Sequence, residues 1–375
     1  EKYIGDDGNE YYLTVDSSYQ EFNEGSRTPG GNPEKPHPFQ DFLAVTPNQV
    51  NYVTPGPGYQ DYINDMRNSN SGSNSGTGST GNLGNGNGES TTTPDGVTIT
   101  EHMLSNNSRY LDDIWRDSNG NIPTDAKVFV FKPQNPNGHS VTIDAGHGNN
   151  SHPSTSLPTE SVFPGLTEDQ IKSMGSSATG KAKGVEIRDS KNVFNNSEIE
   201  PECTLAVAIK VRDKLLAKGY TVTMTRNLGT QNLSNGTRAV LGCETSEIYV
   251  AIHTNASEGR GARGVISFYP GDGNNDPNDP RPGYTRLLGL DANKAESKRL
   301  AQELSYGVHN ATPGLPLNGS GVSEHVLRIF SYSNKPIALI ELAFSDDRAD
   351  AQILIEKKEE MAQGIVNGID KYFGY

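Results

Sequence analysis

Three stretches of this chain combine a near-continuous run of apolar, largely β-branched residues with a polar residue at the end. They read Val-Thr-Ile-Asp-Ala-Gly-His-Gly from Val141, Glu-Ile-Tyr-Val-Ala-Ile-His-Thr-Asn from Glu247, and Pro-Ile-Ala-Leu-Ile-Glu-Leu-Ala-Phe from Pro336. Runs without polar alternation suit strands covered on both faces, as in a mostly parallel sheet. In open α/β sheets ligands sit beyond the carboxyl ends of the strands. A strand buried on both faces has no packing reason to finish in His147, His253 or Glu341, so the three polar groups are expected to converge on one edge.

Between these strands lie helical patterns. The stretch 201–218 places Leu205, Ala208, Ile209, Leu215 and Leu216 on one side, with Pro201 expected at the first helical position and Gly219 as the stop. Similar patterns run over 293–309 and 350–372. With further strands expected near 220–225 and 264–269, strand and helix alternate. The expected fold is α/β, a mostly parallel central sheet flanked by helices in a single domain. Two long intervals, 149–195 and 270–290, interrupt the alternation. Loops of that length usually carry function or lack order.

The amino-terminal quarter is different. Residues 1–67 are rich in Tyr, Pro and acidic side chains without sustained periodicity, which predicts an extended or weakly ordered arm, with tyrosines available to an unidentified partner. Residues 68–93 are almost wholly Ser, Gly, Asn and Thr; as a flexible linker these 26 residues reach on the order of 28 Å. A lead-in at 94–138 precedes a folded unit at 139–375. Residues 1–100 carry 13 acidic and 4 basic side chains, and the whole chain has a net charge of −14. No basic surplus marks a nucleic-acid surface, and no apolar run is long enough to span a bilayer. The chain opens without a basic and apolar leader, and a folded unit on a flexible tether suits a surface-attached enzyme better than a cytosolic one. Cys203 and Cys243, if paired, would close a loop of roughly 40 residues, contributing about 4 kcal/mol.

A hydrolytic zinc site needs three protein ligands, an open position and a nearby base. His147 and His253 supply two ligands. A carboxylate is the expected third: Glu200 is favoured because it sits at the helix boundary directly after the long interval following His147, with Glu202 and Glu186 as competitors. Glu202 inside the first turn is equally explained by the helix dipole, and Glu186 by an ordinary loop charge.

In sequence order, Asp144-Ala-Gly-His-Gly148, Glu200 through Leu205-Ala206-Val207-Ala208, Gly219 to Arg226, Ala251 to Asn255, and Pro336 to Phe344 form a set of five motifs. On these the chain from about 139 to 373 resembles the zinc-dependent N-acetylmuramoyl-L-alanine amidases of the type 3 family. The resemblance implies that His147, Glu200 and His253 hold one Zn²⁺ and that Glu341 is the catalytic carboxylate. It also implies peptidoglycan as substrate. Asn255 is expected either to orient a ligand or substrate or to cap its own loop. Arg226 and Arg238 match family positions and are expected to be structural. Of the remaining histidines, only His152 and His325 are candidates to line the groove. The chain departs from the family in three places: Thr204 stands where Asn is customary, Ala343 where Gly is, and 53 positions separate His147 from Glu200. That long interval implies a lid or a substrate-selecting wall. A wall-binding protein with a permanently plugged groove, and a zinc peptidase acting on the stem peptide, are the rival readings.

Overall fold

The computed structural model describes residues 87–114, 116, 119–122, 126–148, 196–227, 233–257, 261–271 and 291–375, together with five short strands at 2–4, 10–13, 44–45, 159–161 and 181–183. The main sheet has nine strands: β1 (Asn87–Thr92), β2 (Thr98–Met103), β3 (Lys127–Lys132), β4 (Ser140–Ala145), β5 (Thr221–Met224), β6 (Ile248–Asn255), β7 (Val265–Pro270), β8 (Leu317–His325) and β9 (Ile337–Phe344). Their order across the sheet is β8-β7-β9-β6-β4-β5-β3-β2-β1. The four central strands, β9, β6, β4 and β5, are mutually parallel. Both flanks join them antiparallel, through β7 on one side and β3 on the other. The parallel character inferred from the apolar runs therefore belongs to the centre, where strands are covered on both faces.

Two apolar layers enclose the sheet. On one face Val141, Ile143, Val250, Ile252, Ile340 and Leu342 pack among residues of the helices α1 (Asn196–Ala217), α3 (Asp291–Ala311) and α5 (Lys358–Phe373). On the other, Tyr249, Ala251, Ile337 and Leu339 pack against α2 (Asn235–Thr245), the single turn at Arg328–Ser331, and Leu104, Ile114 and Ala126. Within α1, Leu205, Ala208, Ile209 and Leu215 are buried as their spacing predicts, and Leu216 is partly buried. Each fully buried leucine or isoleucine among them contributes roughly 1.5–3 kcal/mol. Gly219 ends the helix with φ +85°, the left-handed conformation that glycine adopts without strain. Its amide bonds to the Leu216 carbonyl, and that of Tyr220 to the Leu215 carbonyl.

Several boundaries differ from the sequence-based ones. Helix α1 begins at Asn196, so Pro201 lies inside it rather than at its first position. The pattern over 350–372 is two helices, α4 (Arg348–Glu356) and α5, broken at Lys357. Asp347 caps α4 by accepting from the amides of Ala349 (3.1 Å) and Asp350 (3.0 Å). Residues 87–92, which composition assigns to the linker, form edge strand β1, held by Thr and Ser pairs across to β2. In the arm, Lys2–Ile4, Glu10–Leu13 and Ala44–Val45 form a small antiparallel sheet. Within the 149–195 interval, Thr159–Ser161 pairs with Lys181–Lys183; the remainder of that interval and of the arm lies outside the described residues. Cys203 and Cys243 are free, buried thiols. They sit in opposite apolar layers, which rules out the pairing that the sequence left open.

Candidate metal centre and active site

The carboxyl ends of β4, β5, β6 and β9 share one edge of the sheet, and the predicted site residues meet there. Register places Ile252 beside Ala145 and His253 beside Glu341. His253 consequently lies next to Gly146, and a Cβ on that glycine would stand only 2.6 Å from the imidazole. A glycine is required here for close approach.

His147 has a φ of +59°, which is uncommon for a residue with a side chain. Its turn leaves the sheet ladder while still buried, so its carbonyls need other donors. Two buried arginines supply them. Arg226 donates to the carbonyls of Ala145 (3.0 Å), Gly146 (2.8 Å) and Pro201. Arg238 donates to the carbonyls of Ala145 (3.4 Å) and His147 (3.1 Å) and pairs with Asp144 at 2.8 Å. Asp144 also accepts from the Thr225 hydroxyl at 2.6 Å. Burial alone would raise the Asp144 carboxyl, but Arg238 and the Thr225 hydroxyl outweigh it and hold the group below its ordinary value.

Glu200, on α1, faces both histidines. One carboxylate oxygen is 2.7 Å from His147 Nε2; the other is 3.0 Å from His253 Nδ1 and accepts from the Thr254 amide at 2.8 Å. The two imidazole rings stand 4.9 Å apart, nearly edge to face. Burial pushes the Glu200 carboxyl up, but the imidazoles, His147 foremost, more than offset this and bring it down to about 2. The ligand atoms of His147, Glu200 and His253 all lie within 4.8 Å of one another, a group able to hold a metal ion. Two imidazoles and one carboxylate are a donor set that suits zinc.

Glu341 is the one partly exposed residue of β9, whose other side chains are buried. Neighbouring strands lie about 4.8 Å apart, so this carboxylate stands beside the triad and within reach of solvent. Asn255 follows a register shift between β6 and β9, and its side-chain oxygen accepts from the Ala256 amide at 2.9 Å, the local capping bond. Of the competing carboxylates, Glu186 and the Glu202 side chain lie outside the described residues. His102 pairs with Glu244 at 2.7 Å, His139 stacks on Phe373, and His309 bonds the Leu315 carbonyl. His325 pairs in register with Pro270, four residues beyond the Ile266 that sits opposite Glu341. That is about 13 Å along the strand toward the amino end of β9, so His325 does not line the site. His37 and His152 lie outside the described residues. The Thr254 amide and the reach of the two arginines escaped sequence reasoning; the latter left a trace in the Thr225-Arg226 pair that closes β5.

A family model described as N-acetylmuramoyl-L-alanine amidase (Amidase_3) matches residues 141–371. The chain belongs to this family. It is accordingly an enzyme of the amidase class that hydrolyses the N-acetylmuramoyl-L-alanine bond of peptidoglycan. Among relatives, the germination-specific N-acetylmuramoyl-L-alanine amidase of Bacillus subtilis (strain 168) is 27% identical over 191 residues, covering 47% of this chain and 71% of the relative. The amidase LytC of the same organism is 24% identical over 183 residues, covering 48% of this chain and 32% of LytC. Among solved structures, apo Ami1 of Mycobacterium abscessus aligns over 63% of this chain and 99% of its own, at 18% identity and a TM-score of 0.46. An amidase from Clostridium difficile 630 aligns over 63% and 96%, at 24% identity and a TM-score of 0.41. Among the described residues no helix is long and apolar enough to cross a membrane.

Proposed function

We propose that His147, Glu200 and His253 hold a single zinc ion and that Glu341 is the catalytic carboxylate of the amidase. The reading rests above all on the convergence of three ligand-type side chains from three separate segments, with Glu341 in register beside one of them. A zinc ion bound there would supply a Lewis acid that activates water and polarises the scissile carbonyl. The Thr254 amide orients Glu200 by holding one of its oxygens, and Gly146 leaves room for the His253 ring. Glu341 takes a proton from the attacking water as its oxygen bonds to the lactyl carbonyl carbon. It returns that proton to the nitrogen as the C–N bond breaks, releasing the α-amine of L-alanine and a lactyl carboxylate. Asn255 assists by shaping the loop after β6, and any contact with substrate is secondary to that capping bond.

Residues 139–375 carry this chemistry, while the arm at 1–67 and the Ser/Gly/Asn-rich segment act as a tether outside the cytoplasm at the wall. Among the structural neighbours, the CwlD amidase of Clostridioides difficile is described in complex with the GerS lipoprotein; in this chain the arm is the segment we assign to partner contact.

Glu341→Gln tests the mechanism. The variant is expected to retain one equivalent of zinc while releasing no stem peptides from purified peptidoglycan. Full turnover by this variant would remove Glu341 from the mechanism. Mass spectrometry of the parent's products separates the readings: cleavage within the stem peptide would establish a peptidase, and zinc without any turnover a plugged form.

A further inference from the structure

We infer that Arg226 is a positioning residue that sets the separation between His147 and Glu200, and through it the affinity of the centre for its metal. This rests on the reading of those two residues as ligands. A single guanidinium spans the two segments that carry these residues. Arg226 Nη2 bonds the carbonyl of Gly146, the residue before His147, and the carbonyl of Pro201, the residue after Glu200. Its Nε bonds the Ala145 carbonyl at 3.0 Å. One rigid, planar cation thus joins the end of β4 to the first turns of α1, with the two ligands flanking the junction. Arginine can do this because its donors fan out within one rigid plane; a lysine ammonium is a point charge on a flexible stem.

Thr204 completes the brace. It lies one helical turn after Glu200, on the same face of α1. Its hydroxyl donates to the Gly146 carbonyl at 3.1 Å and lies 3.2 Å from Arg226 Nη2. The residue that departs from the family's customary Asn is therefore part of this contact. Arg226 is itself only 1% exposed, so the bonds act with little competition from water. The chain between the two ligands cannot supply this constraint by itself, since 53 positions separate them. A brace from the segment just after strand β5 does so.

The test compares Arg226→Lys and Thr204→Val with the full-length parent. Zinc affinity is measured by chelator competition, the visible spectrum after Co²⁺ loading reports ligand geometry, and the melting temperature is taken metal-free. Arg226→Lys is expected to bind zinc about 10–100-fold more weakly, as when other groups that orient metal ligands are removed, with a shifted Co²⁺ spectrum. Thr204→Val, which loses a hydroxyl at nearly constant shape, is expected to lose about fivefold. Ser234→Ala is the control: it removes the cap of α2, whose hydroxyl accepts from the Thr237 amide at 3.2 Å. It is expected to lower the melting temperature by a few degrees without altering zinc affinity. Parental affinity in both brace variants, or losses that merely track melting temperature as in Ser234→Ala, would overturn the inference. Should Arg226→Lys fail to fold, Thr204→Val decides alone, and unchanged affinity in it overturns the inference. A parent that binds no zinc would instead overturn the metal centre, and the brace with it.

Discussion

Replacing Gly146 with alanine perturbs the candidate centre by a displacement that can be read from the structure. The new Cβ would stand 2.6 Å from Cε1, 2.7 Å from Nδ1 and 2.8 Å from Nε2 of His253, where ordinary contact begins at 3.4 Å, so the ring must retreat by about 0.8 Å. Gly146 is not among the positive-φ glycines, so alanine fits the backbone and the strain falls on the imidazole. Metal–ligand distances tolerate about 0.2 Å. The retreat exceeds that severalfold, and misplacement of a catalytic group by about 1 Å costs on the order of 100-fold in rate. We expect Gly146→Ala to weaken zinc binding at least about tenfold and to slow the appearance of L-alanine amino termini from purified peptidoglycan about 100-fold. Gly364→Ala is the matched control. Its Cβ would press on the Val308 backbone where α5 meets α3, two helices that carry none of the candidate ligands. Overpacking of this kind costs about 1–3 kcal/mol and should lower the melting temperature while leaving zinc affinity alone. Parental zinc affinity and turnover in Gly146→Ala would refute the placement of His253 in the site.

Two further outcomes follow from the buried polar groups. Asp144, held below its ordinary value despite burial, contributes stability that is present above its unfolded value of about 3.9 and is lost as pH falls through its folded value. In metal-free protein, the urea midpoint of Asp144→Asn should start lower than the parent's and fall less steeply on acidification; parallel curves would show that the Arg238 pair does not contribute to the acid transition. Cys203 and Cys243 should both react with a thiol reagent, and only after denaturation, because both are buried and free. Rapid modification of the native protein would contradict this packing.

The elements that could be read from the chain are those whose physics is local. Val141–Ile143, Ile248–Ile252 and Ile337–Ile340 are apolar on both faces, which fixes them as central strands, and a polar terminus on such a strand has few explanations besides a site. Glu200 was legible from its place at a helix start, although the helix itself begins at Asn196 and encloses Pro201. Edge elements were harder to read. β8 contains Gly319, Gly321 and two serines, a composition that signals a loop, and it becomes a strand only because β7 offers a partner. Likewise β1 is Asn87-Gly-Glu-Ser-Thr-Thr92, indistinguishable by composition from the linker before it. The arginine contacts were hidden for another reason: a guanidinium bonding backbone carbonyls leaves no pattern in the residues that it serves. Arg226 and Arg238 could be recognised as structural, but not as joining Ala145, Gly146 and Pro201.

The long interval between the first two candidate ligands has an entropic side. His147 Nε2 and Glu200 meet at 2.7 Å although 53 positions separate them, so the chain between them is a loop closed by the site itself. Closure entropy grows only with the logarithm of loop length, and lengthening such a loop from about 10 to about 50 residues costs roughly 1.5 kcal/mol. That is about the free energy of one or two hydrogen bonds, and the brace of Arg226 and Thr204 at the base of the loop supplies several. The junction can therefore carry a long segment with little effect on the candidate ligands at either end, and its length is nearly free of cost to the site.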